Sequence, residues 1–166
     1  MIDRAQQCFE QWKKERPDID PFPMKLIGHL GEVVHRVERD YLNPWFSNHG
    51  LRPGEFDVLA TLRRAGAPYA LTPTQLYDAL MTSSGGMTNR IDRLESAGLV
   101  QRRSNPADRR GTLVAMTKAG LALIETLIVR HVDNERQLLS ALSSAEQRQL
   151  DALLVKLATG LRNRQA

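Results

Sequence analysis

The sequence predicts a mainly α-helical fold carrying one short two-stranded β-ribbon, and three observations predict it. Apolar residues recur at spacings of three and four along most of the 166 residues, the period of amphipathic helices. Two short β-prone runs, residues 99–103 and 112–117, flank a turn-forming loop, SNPADRRG. Ahead of that ribbon, between Thr72 and Gly98, the pattern reads helix, tight turn, helix.

Taken in order, residues 2–15 form a short amphipathic helix, with Ala5, Cys8, Phe9 and Trp12 near one face. So short a helix is marginal alone and needs somewhere to dock. Arg16-Pro17 and Pro21-Phe22-Pro23 break the chain. A longer helix then runs from Met24 to about Asn48, with Leu26, Ile27, Leu30, Val33, Val34, Val37, Tyr41, Leu42 and Trp45 on a wide apolar face. Pro44 is expected to kink it or end it early. Leu51-Arg52-Pro53-Gly54 opens another helix, where Phe56, Leu59 and Leu62 fall at helical spacing and Asp57 reads as an exposed carboxylate.

Thr72 is the next N-cap, with Pro73 at the first helical position and Gln75 completing a capping box. Leu76 and Leu80 share one face. Residues 82–86 supply the turn. The second helix places Met87, Ile91 and Leu94 on one stripe and ends at Gly98. Its opposite face carries Gly85, Asn89, Asp92, Arg93 and Ser96, small and polar near the N-terminus. Such a face suits a helix entering a major groove, where Ser83, Ser84, Thr88 and Asn89 can reach bases or phosphates. A solvated helix face is the alternative.

The ribbon argues for the former. Residues 82–111 hold six arginines (Arg90, Arg93, Arg102, Arg103, Arg109, Arg110) against three acids, so this stretch carries +3 of the chain's formal +4. Clustered positive charge is the electrostatic footprint of nucleic-acid binding. An arginine-bearing ribbon tip can enter a minor groove while the helix occupies the major one.

After the ribbon, Thr117 caps a long helix containing Leu121, Ile124, Leu127, Ile128 and Val132. Ser143 to Glu146 is a second capping box, and it opens a last helix whose Leu150, Leu153, Leu154, Leu157 and Leu161 form one stripe. With the first long helix, this is more apolar surface than a lobe of this size covers. A subunit interface would absorb it; an internal bundle is the alternative.

MTNRIDRLESAGLVQRR and NPADRRGTLVAMTKAG, with their D-x-R, hydrophobic run and T-x-x-G order, resemble the MarR-type winged-helix transcriptional regulators, and the resemblance covers nearly the whole chain. It implies a winged helix-turn-helix with a small β-wing and N- and C-terminal dimerisation helices. On this reading, 1–166 is a single domain: N-terminal helices at 1–48, a DNA-binding lobe at 51–120 and C-terminal dimerisation helices at 121–166. It implies a homodimer on an inverted-repeat operator in double-stranded DNA. Ser84, Thr88 and Asn89 would read bases, and Arg93, Arg109 and Arg110 would meet phosphates or the minor groove. Asp108 would orient the wing, and Arg110 is its minor-groove arginine by the D-x-R motif. Family members often carry arginine directly after the threonine of the second helix; here Asn89 stands there and Arg90 follows.

A narrower resemblance, to the urate-responsive branch of that family, rests on Trp12, Asp57, Arg90 and Arg102. It implies a repressor released by a small anionic effector such as urate, since Trp12 can stack, Asp57 can accept ring N–H groups and the arginines can pair with charge. Another organic acid, or oxidation at Cys8, is the alternative trigger, and a protein-interaction module is the alternative class. Cys8 has no local cation or resolving cysteine, which favours a packed thiol over a sensor.

Composition narrows the rest. A 42% hydrophobic content is ordinary for a globular protein. One cysteine excludes an intramolecular disulfide and fits a reducing cytoplasm. No apolar run is long enough to span a bilayer, and the N-terminus lacks a signal-peptide pattern. His29, His35 and His49 do not form a metal pair. No nucleophile stands beside a base and no loop cradles phosphate, so neither an enzyme nor a cofactor is expected.

Overall fold

The computed structural model describes residues 3–80 and 86–164, with Arg109 and Arg110 described by their backbone. Ser83 and Ser84 lie outside the described residues. Helix α1 (Arg4–Glu15) is capped by Asp3, whose carboxylate accepts from the Gln6 N–H at 2.8 Å. It packs on α2 (Phe22–Arg36), where Ala5 sits against Gly28. That contact buries Ala5 but leaves Cys8 exposed. On the single chain Cys8 is thus exposed, in place of the packed thiol that the sequence favours.

The long helix expected from Met24 to Asn48 is three consecutive pieces. After α2 the chain widens into a π-helical segment (Val37–Leu42), in which the Asn43 N–H reaches the Glu38 carbonyl, and then resumes as α3 (Asn43–Asn48). Pro44 sits in the first turn of α3, where its missing N–H is tolerated. Proline thus neither ends nor breaks the run.

The lobe follows: α4 (Glu55–Arg64), β1 (Ala70–Leu71), α5 (Pro73–Ala79), α6 (Met87–Ser96), β2 (Val100–Asn105) and β3 (Asp108–Met116). Both capping boxes form as the sequence requires, at Thr72–Gln75 and Ser143–Glu146. Leu80 lies just beyond α5 with extended backbone rather than on its face. The ribbon β2–β3 is antiparallel and longer than expected, pairing Val100 with Met116 and continuing to Asn105 opposite Asp108. The sheet has a third strand that the sequence does not announce. β1, two residues long, pairs Ala70 with Ala115 and ties the ribbon to the start of α5.

The core gathers Phe56, Leu59 and Leu62 of α4, Leu76 of α5, Ile91 and Leu94 of α6, Val100 and Val114 of the ribbon, and Ile124 and Leu127 of α7 (Lys118–Leu138). The T-x-x-G at the ribbon's end has a geometric cause. Thr117 Oγ1 accepts from the Gly120 N–H at 3.0 Å, and a Cβ on residue 120 would fall 2.1 Å from the Leu99 carbonyl oxygen. Only glycine lets β2 lie that close to the start of α7.

Outside the lobe much apolar surface is open. Leu26, Ile27, Val33 and Val34 of α2 are at least half exposed, and α8 (Ser144–Asn163) buries none of its residues. The stripe Leu150, Leu153, Leu154, Leu157 and Leu161 faces solvent on the single chain.

Candidate functional site

Helix α6 is held from two sides by its own charged residues. On its inner side Arg93 donates from Nε to Glu55 Oε1 at 2.6 Å. Glu55 is buried at the start of α4, and its other oxygen accepts from the Arg52 N–H at 2.7 Å. One turn earlier, the Arg90 guanidinium lies against Gly54, where a Cβ would fall 2.4 Å from Cζ. Gly54 also adopts φ of 80°, a second reason for glycine there.

From the other side Arg102 on β2 grips α6. Its guanidinium pairs with Asp92 at 2.6 Å and with Glu95, and its backbone N–H donates to Glu95 Oε1 at 2.7 Å. That N–H, and then the guanidinium, hold the Glu95 carboxyl below its ordinary range. The Asp92 hydrogen bond is the largest cause raising Arg102 above the usual arginine value. Arg102 thus ties the ribbon to the second helix through two carboxylates of that helix.

What remains outward on α6 is small and polar. Thr88 and Asn89 are exposed, Ile91 and Leu94 are in the core, and Arg90 and Arg93 are half-buried. At the ribbon tip the Ala107 N–H donates to Asn105 Oδ1 at 3.0 Å, closing the turn. Asp108 Oδ2 lies 3.2 Å from where a Cβ on Gly111 would stand, so it packs across the ribbon tip against that glycine. The side chains of those two arginines lie outside what is described.

Behind α6 opens a cavity of about 610 Å³, walled by the π-helical segment, α3, α4, α6 and α7. Asp57 and Arg90 share its wall. Asp57 is half-buried there, not the exposed carboxylate that its polar flank suggested. Trp12 and Arg102 do not line this cavity: Trp12 is 40% exposed on α1, and Arg102 is engaged with Asp92 and Glu95. The four residues joined by resemblance are thus two together and two apart.

Sequence reasoning missed Glu55, His131, Glu38 and Glu135. His131 of α7 packs beside the stacked pair Phe46 and Phe56, with ring centroids 5.8 and 4.4 Å away. Its i,i+4 spacing from Glu135 was the available signal. For Glu55, an acid opening a helix reads only as a favourable dipole contact, and nothing in the local sequence announces Arg93 as its partner.

A helix-turn-helix that shows small polar groups outward and is locked to an arginine-bearing ribbon defines a winged-helix DNA-binding protein. Residues 49–111 match the family model described as "MarR family". The chain is 45% identical over 154 residues to the HTH-type transcriptional regulator PecS of Dickeya dadantii, covering 93% of this chain and 92% of that one. Among solved structures it is similar to a mutant MarR from E. coli complexed with operator DNA (TM-score 0.68, 30% identity, 88% of this chain and 96% of that chain). It is also similar to AbsC, a MarR family transcriptional regulator from Streptomyces coelicolor (TM-score 0.74, 26% identity, 87% and 97%). The chain belongs to the MarR family and is a DNA-binding transcriptional regulator, not an enzyme. No helix among the described residues is long and apolar enough to cross a membrane.

Proposed function

We propose that two copies of the chain pair through the apolar faces of α2 and α8 and act as a repressor on an inverted-repeat operator. A small planar anion, urate or a related organic acid, held in the cavity behind α6, releases it. The single observation that carries the reading is that Asp57 and Arg90 share one cavity wall while Arg90 belongs to the second helix. A ligand bonded to Arg90 acts on the element that carries Thr88 and Asn89.

On this reading Ser83, Ser84, Thr88 and Asn89 meet base edges, and Arg109 and Arg110 meet phosphates or a minor groove. Asp108 orients the ribbon tip. Arg93, bonded to Glu55, serves DNA binding by positioning α6. Asp57 accepts ligand N–H groups and Arg90 pairs with its charge. A role for Trp12 and Arg102 at the ligand requires α1 and the ribbon to move toward the cavity on binding.

The pairing is supported by the open leucine stripe of α8, which a monomer leaves in water. The reading is tested by sedimentation of the free protein and by anisotropy of labelled operator DNA titrated with urate. A dimer that releases DNA as urate rises is expected. A monomer at micromolar concentration, or urate-insensitive DNA binding, overturns the corresponding half.

A further inference from the structure

Helix α5 is short and thinly anchored. Of its seven residues only Leu76 is buried, and the others are exposed. So short a helix is unstable alone, and its direction depends on what holds its two ends. The N-terminal end has the capping box of Thr72 and Gln75. The C-terminal end is held from another element. Arg64, the last residue of α4, donates from one terminal guanidinium nitrogen to the carbonyl of Ala79, the last residue of α5.

The same nitrogen stands 3.3 Å from Oγ1 of Thr61, a buried residue one turn back on α4. The guanidinium is thereby steadied on its own helix while it reaches across to the next. Its charge meets the negative end of the α5 dipole, at a carbonyl that has no partner within the helix. Leu80 follows with extended backbone. The carbonyl that Arg64 holds is therefore the point where the chain leaves α5 toward α6.

In a helix-turn-helix the first helix crosses the DNA backbone while the second enters the major groove. The direction of α5 thus bears on where Thr88 and Asn89 arrive. Arg93 links α6 to α4 and Arg102 links it to the ribbon, bonds that leave α5 aside. We propose that Arg64 is a positioning residue for operator reading: it caps α5 from α4 and so fixes the first helix of the DNA-reading pair, without itself touching DNA.

Arg64 is exposed, and a contact to phosphate is the rival role for such a side chain. The two roles differ in salt behaviour. A phosphate contact releases counterions and serves all sequences alike. A cap releases none, and it matters most where base edges must be met in register.

The test is anisotropy of two labelled duplexes at several salt concentrations, with the full chain and its Arg64→Ala and Arg64→Lys variants. One duplex is the sequence that the parent enriches most from a random pool; the other is a scrambled duplex of equal length and composition. All titrations are run well below the melting temperature of each variant, so that loss of position is separated from loss of folding. Arg64→Ala should weaken the selected duplex by about tenfold, the scale of one hydrogen bond to a charged group, and leave the scrambled one within about twofold. Its salt slope should match the parent's. Arg64→Lys should recover most of the loss, because one nitrogen makes both contacts and an ammonium carries three donors. A slope lowered by about one unit, with both duplexes weakened alike, makes Arg64 a phosphate contact and overturns the proposal. A lower melting temperature with an unchanged ratio between the duplexes overturns it too, as does a lysine variant no better than alanine.

Discussion

Arg93 of α6 is bonded to Glu55 of α4 through Nε and Oε1 at 2.6 Å, with the Glu55 side chain 6% exposed and that of Arg93 37% exposed. This contact joins α6 to the buried start of α4. Removing the arginine leaves a buried carboxylate with only the Arg52 N–H. Arg93→Ala should therefore destabilise the protein by about 1–3 kcal/mol, below the value for a fully buried pair because Arg93 is partly solvated. DNA affinity should fall with the salt slope nearly unchanged, since a positioning residue releases no counterion. A slope lowered by a full unit would instead make Arg93 a phosphate contact. Chemical denaturation and salt-dependent anisotropy read the two effects separately.

Asn89 and Arg110 should behave oppositely. Asn89 is exposed on the outward face of α6, and an amide there can make a bidentate contact to a base edge. Asn89→Ala should relax preference at one position of each half-site, at about 1–3 kcal/mol for that base. Arg110→Ala should weaken all sequences alike and lower the salt slope by about one unit. Selection of bound sequences from a random pool, repeated at two salt concentrations, checks both. Identical sequence logos for Asn89→Ala and the parent would move Asn89 to the backbone-contacting set.

Short-range interactions are legible in this sequence and long-range ones are not. Features written in three or four consecutive positions were legible: the caps at Thr72 and Ser143, the stripe of Met87, Ile91 and Leu94, and the T-x-x-G at 117–120. The two-residue strand β1 was not, because Ala70 and Leu71 are extended only by pairing with Ala115 and Val114. The π-helical turn ahead of Pro44 has no period of its own that a window of residues reveals. At the site, Asp57 and Arg90 came from resemblance and share a wall. The partners of Arg93 and Arg102 lie on other elements, whereas the sequence assigns Arg93 to DNA and Arg102 to the effector. Pairing with Glu55, Asp92 and Glu95 is tertiary information.

The anchor of the ribbon on α6 should be acid-sensitive. Glu95 has its carboxyl held below the ordinary value of 4.5, first by the Arg102 backbone N–H and then by its guanidinium. A group depressed in this way contributes stability that is fully present above its unfolded value and is lost as pH falls through its folded value. The Glu95→Gln variant should therefore melt below the parent at neutral pH, and the two curves should converge on the acid side, below about pH 4.5. Circular dichroism melts between neutral and acid pH measure the gap. A gap that stays constant across that range would mean that the charge of Glu95 is irrelevant to the anchor.

The ligand switch is best tested at Asp57, because that residue lines the cavity without lying on α6. Asp57 belongs to α4 and shares its wall with Arg90, whose guanidinium rests on Gly54 at the start of the same helix. A ligand spanning Asp57 and Arg90 bonds to α4 and α6 together, so it favours whichever spacing of the two helices fits it. To act as an inducer it must bind the DNA-incompetent arrangement better; a tenfold preference corresponds to about 1.4 kcal/mol of coupling. Asp57→Asn keeps the shape but turns a carboxylate that only accepts into an amide that also donates. It should leave operator affinity within about twofold of the parent while weakening urate binding by about tenfold or more. Release of operator DNA should then need correspondingly more urate, by the reciprocity of linkage. If Asp57→Asn releases DNA at the parent's urate concentration, the effector does not bind at this wall, and the link from ligand to α6 must run elsewhere.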